Sequence, residues 1–93
     1  MIDDERKLRS EMDRAAKVEA LFRDPIFTES FDILLAHYQH QWAESNPADA
    51  AERERLYALT QALGAVRGHL QSVFETGRMA EIQITKLAEA SLH

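Results

Sequence analysis

His37 and His40, with Glu44 one turn further on, come nearer to a chemical site than any other residues of this chain. Two imidazoles and a carboxylate from one side of a helix are donors that a divalent metal accepts. An i,i+3 histidine pair with no second cluster to support it reads more simply as solvated or hydrogen-bonded. His69 reads as a satisfied, partly buried histidine beside an apolar seam. Other chemistry is missing at the level of residue type. The chain contains no Cys, which removes thiolate nucleophiles, disulfides and Cys-based metal centres. There is no Gly-rich phosphate loop and no G-x-S-x-G, and the five serines lack a His–Asp context. The expectation is a protein with no catalytic residues, no metal and no cofactor.

The elements that would position any site are helical. Three Gly and two Pro in 93 residues leave little turn chemistry for a β protein. Hydrophobic residues at 45 % and charged residues at 29 % suit neither a disordered chain nor a membrane span. The N-terminus has no apolar h-region, so no signal peptide is expected, and the cytoplasm is the expected location. A net charge of −5 argues against nucleic-acid binding through general basicity.

A first helix is predicted over 3–23, with Leu8, Met12, Ala15, Val18 and Phe22 in one narrow stripe at the helical period. Asp3–Lys7, Glu5–Arg9, Asp13–Lys17 and Glu19–Arg23 are acid-before-base pairs at i,i+4, each worth about 0.2–0.5 kcal/mol to a helix. Asp24-Pro25 then supplies a cap followed by Pro at the first helical position. The second helix, about 25–45, carries Phe27, Phe31, Leu34, Leu35, Tyr38 and Trp42 on a wide apolar face. Ser45-Asn46-Pro47-Ala48 ends it; Asn46 before Pro47 repeats the cap-then-Pro pattern and opens a third helix over 47–76, with Asp49 and Glu52 offering a capping box one turn later.

In the third helix Leu56, Leu59, Leu63, Val66, Leu70 and Val73 form a heptad seam, continued in phase by Gly77, Ala80, Ile84 and Leu87. Either the helix runs unbroken to about 90, which is preferred, or it stops at Gly77 as a C′ residue. The fold expected is all-α: an antiparallel hairpin with an N-terminal helix, forming one domain over 1–93. Its core is predicted at Phe31, Leu34, Tyr38, Leu56, Leu59 and Leu63. The stripe at Leu8, Met12 and Phe22, and the distal Ile84 and Leu87, exceed what the second helix can cover. An oligomeric bundle is therefore expected.

Two further features bear on partners. Thr60, Gly64, Gly68 and Ser72, spaced by four, make a ridge of small side chains beside the seam. It serves close helix approach, within the hairpin or across a subunit contact, unless the glycines are merely tolerated at the surface. Residues 24–52 hold six acids and no Lys or Arg, either a docking face for a basic partner or a solvated face. Arg53, Arg55, Arg67 and Arg78 are scattered and draw no phosphate-tracking stripe.

Residues 53–80, with Leu56-Tyr57, V-x-x-H-L at Val66 to Leu70, and S-V-x-E-T-G-x-x-A ending at Ala80, resemble small helical proteins that tailed phages and prophages encode near their head and packaging genes. D-P-I-F at Asp24 to Phe27 and the Tyr38–Trp42 segment fit the same likeness. The resemblance implies a self-associating protein of virion assembly or DNA packaging in a bacterial host, with head or packaging proteins as partners. It brings no catalytic residues. A weaker similarity to terminase small subunits implies a packaging ring, although their helix-turn-helix is not found here. A small antitoxin or regulatory adaptor is the third reading.

Overall fold

The computed structural model describes residues 2–92, Ile2 by its backbone alone. It is all-α: α1 spans Ile2–Arg23, α2 Pro25–Glu44 and α3 Ala50–Ser91. No helix among the described residues is long and apolar enough to cross a membrane. Asp24 caps α2 as its sequence position implies, its carboxylate accepting from the Ile26 N–H at 2.9 Å.

The link to α3 is longer than predicted, because the Asn46-Pro47 cap is not used. Asn46 instead makes a turn, its side-chain oxygen accepting from the Ala48 N–H at 2.9 Å, and its backbone carbonyl accepts from Asp49. The cap of α3 is Asp49, which accepts from the Glu52 N–H at 3.1 Å. The reciprocal half of the capping box is absent because Arg55 takes the Glu52 carboxylate, at 2.7 and 3.0 Å. From Ala50 the helix runs through Gly77 without a break, and no Gly has a positive φ, so Gly77 is not a C′ residue.

The chain packs as two compact units, and their boundary falls within α3. One unit is Asp24–Gly68, the α2–α3 hairpin. Here α3 meets α2 along Leu56, Thr60, Leu63 and Arg67, a row that keeps Val66 off the contact and 51 % exposed. On α2 the half-buried row is Phe27, Phe31, Leu35, Tyr38 and Gln41, which leaves Leu34 41 % exposed rather than in the core. Leu56 is the best-buried residue of this unit, and no α2 residue is fully buried. Polar clasps hold both ends. Arg67 reaches Asp32 at 3.1 Å and lies over the Phe31 ring, while Arg53 lies 4.2 Å over Trp42 and donates to the Ser45 hydroxyl at 3.0 Å.

The other unit pairs α1 antiparallel with α3 from His69 onward. Its buried residues are Ala15, Val18, Gly77 and Ala80, small enough for the backbones to come close. Leu8, Met12, Phe22 and Ile84 are half-buried around them. The distal part of α3 thus receives α1, but Leu87 stays 47 % exposed, as the narrow stripe implies. Among the four charge pairs read along α1, Glu19–Arg23 closes, at 2.6 Å.

Candidate interaction surface

Among the described residues the histidines are not gathered into a three-donor cluster. His40 Nε2 lies 3.2 Å from Glu44 Oε1, and His37 packs its ring beside Tyr38. His69 is exposed rather than partly buried, on the rim of a shallow groove with Glu11, Arg14 and Ser72. The α3 row turned toward α1 there includes Val73, one turn away from it.

The small-residue ridge is open. A Cβ built on Gly64 or on Gly68 would meet nothing within 4 Å, so neither glycine is needed for a close backbone approach among the described residues. Packing inside the hairpin is therefore not what they serve. Thr60 is half-buried and its hydroxyl donates back to the Leu56 carbonyl at 3.0 Å. Ser72 belongs to the α1 unit, the other three ridge residues to the hairpin.

Around Gly64 lies a surface that the periodicity had not singled out. From Leu56 to Val66 the sequence contains no Asp, Glu, Lys or Arg. The residues facing solvent in that stretch are Tyr57, Ala58, Gln61, Ala62, Gly64, Ala65 and Val66. Three turns of exposed helix thus present mostly small and apolar groups, with the Gln61 amide and the Tyr57 hydroxyl as the polar ones and not one charge. Exposed helix sides ordinarily carry the charged half of an amphipathic pattern. Beside this side, Phe31, Leu35, Leu63 and Gly64 line a mostly apolar groove together with Thr60 and Arg67.

Other exposed apolar side chains include Ile26 and Ile33 on α2, and Met79 and Ile82 on α3.

Four of the eleven Lys and Arg side chains are engaged within the chain. Arg23 pairs with Glu19, Arg55 with Glu52 and Arg67 with Asp32, while Arg53 sits on Trp42. The hydrogen bond from Arg55, with its charge, holds the Glu52 carboxyl below its ordinary range. Comparisons of the chain with protein-family models, curated proteins and solved structures find no match.

Proposed function

We propose that this chain is a non-enzymatic helical protein that associates with copies of itself and serves virion assembly or DNA packaging of the phage type. The observation that carries the self-association is the uncharged, exposed side of α3 between Arg55 and Arg67. A second copy meeting that side has no ion to desolvate, and burying its Tyr, Val and Ala surface is favourable. The centres of protein interfaces are depleted in charge in the same way. Gly64 and Gly68 each cost about 1 kcal/mol in helix propensity against Ala, although a methyl group on either would meet open space. Close approach of another copy's helix would offset that.

The phage setting rests on the resemblance of residues 53–80. Within that setting, the engagement of four arginines inside the chain favours an assembly protein over a DNA-contacting ring. Mass spectrometry of gradient-purified procapsids and filled particles, from an induced lysogen with and without this gene, tests the assignment. The chain should occur at a fixed copy number in one fraction, and its deletion should lower the yield of filled particles. Absence from both fractions with an unchanged yield would overturn the phage role.

A further inference from the structure

α2 exposes apolar side chains on the side away from α3 as well. Its inner row packs on α3, while its outer side carries Ile26 at 73 % and Ile33 at 66 % exposure, with Leu34 beside them. Glu29, Ser30, His37 and His40 share that outer side, so the two isoleucines are an exposed apolar pair on a mixed face. Neither isoleucine is covered within the hairpin.

Charge on the outer side tells which neighbour fits. There is no Lys or Arg from Asp24 to Glu52. Glu29 lies one turn from both Ile26 and Ile33, and no cation of the chain lies within ion-pair distance of it among the described residues. Glu44 meets only His40. A second copy presenting the same face would bring more carboxylates and no Lys or Arg to answer them. A cationic occupant removes that repulsion and buries the isoleucines as well.

We propose that the outer side of α2, centred on Ile26, Glu29 and Ile33, seats an amphipathic helix of a different protein, whose apolar row is flanked by Lys or Arg. This goes beyond self-association through α3 and does not depend on it.

The probe is a synthetic helical peptide with Leu at i, i+3 and i+7 and Lys on both flanks, read by fluorescence anisotropy against the full chain. A matched peptide with Glu flanks is the control. The Lys peptide should bind, weaken between about 50 mM and about 300 mM salt, and lose about 10-fold or more in affinity to the Ile26→Ser/Ile33→Ser variant. Glu29→Gln should weaken it as well, and the Glu peptide should not bind. Both isoleucines are exposed, so circular dichroism should show the double variant folded. Equal binding to wild type and the double variant would mean charge attraction alone and would overturn the proposal, as would no binding at about 100 µM peptide. A fall in the chain's own mass on Ile33→Ser would assign the face to a second copy, which also overturns it.

Discussion

Gly77 lies against Ala15 so closely that a methyl group on Gly77 would collide with the Ala15 methyl and stand 2.6 Å from the Glu11 carbonyl oxygen. Of the three glycines it is the one whose missing side chain the fold uses. Gly77→Ala should therefore destabilise by about 1–3 kcal/mol through overpacking, although Ala is the better helix former. Gly64→Ala and Gly68→Ala should instead stabilise the dilute chain by up to about 1 kcal/mol each. Thermal melts at low protein concentration check the opposite signs.

Leu56 and Leu34 separate the core from its rim. Leu56 is 1 % exposed, and Leu56→Ala should cost about 2–5 kcal/mol, since it removes buried methylenes and leaves a cavity. Leu34→Ala should cost well under half as much. Urea midpoints of the two variants, with similar slopes, provide the comparison.

Trp42, the chain's one tryptophan, reports on the clasp at the hairpin turn. Arg53→Ala removes the guanidinium from its ring and two donors from Ser45. The variant should lose about 1–2 kcal/mol. Its tryptophan emission should move toward that of a solvated indole. Unchanged emission would separate Arg53 from the indole.

Glu52 titrates below its ordinary range because Arg55 donates to the ionised form. A depressed folded value means that its stabilising contribution is complete above the unfolded carboxylate pKa and is lost as pH falls through the folded one. A carboxyl NMR titration should find the Glu52 midpoint lowered in wild type and raised in Arg55→Gln. Equal midpoints in the two would contradict the pairing.

The three helices were legible because punctuation and period agreed: Asp24-Pro25 stands where α2 begins, and the stripe from Leu8 to Phe22 is buried or half-buried in α1. The start of α3 was misplaced because Asn-Pro can open a helix or make a turn, and Asp49 competed for the same role. Val66 and Leu34 were misassigned for a shared reason. A heptad seam or a wide apolar face names more positions than one neighbouring helix can touch. The contact row Leu56–Thr60–Leu63–Arg67 includes a Thr and an Arg that no hydrophobic pattern selects. The close approach at Gly77 had a signal in Gly77-x-x-Ala80 opposite Ala15, but the more regular Gly64–Gly68 spacing drew the reading instead.

Self-association through the uncharged side of α3 is the central claim, and light scattering of the full chain beside its Ala65→Arg variant tests it most directly. Ala65 is exposed near the middle of that side, so Arg there leaves the hairpin intact but puts a charge where a second copy would bury it. The account predicts an oligomer for wild type at tens of micromolar, and monomers of unchanged helicity for the variant. A wild-type monomer at that concentration, or a variant that assembles like wild type, would contradict it.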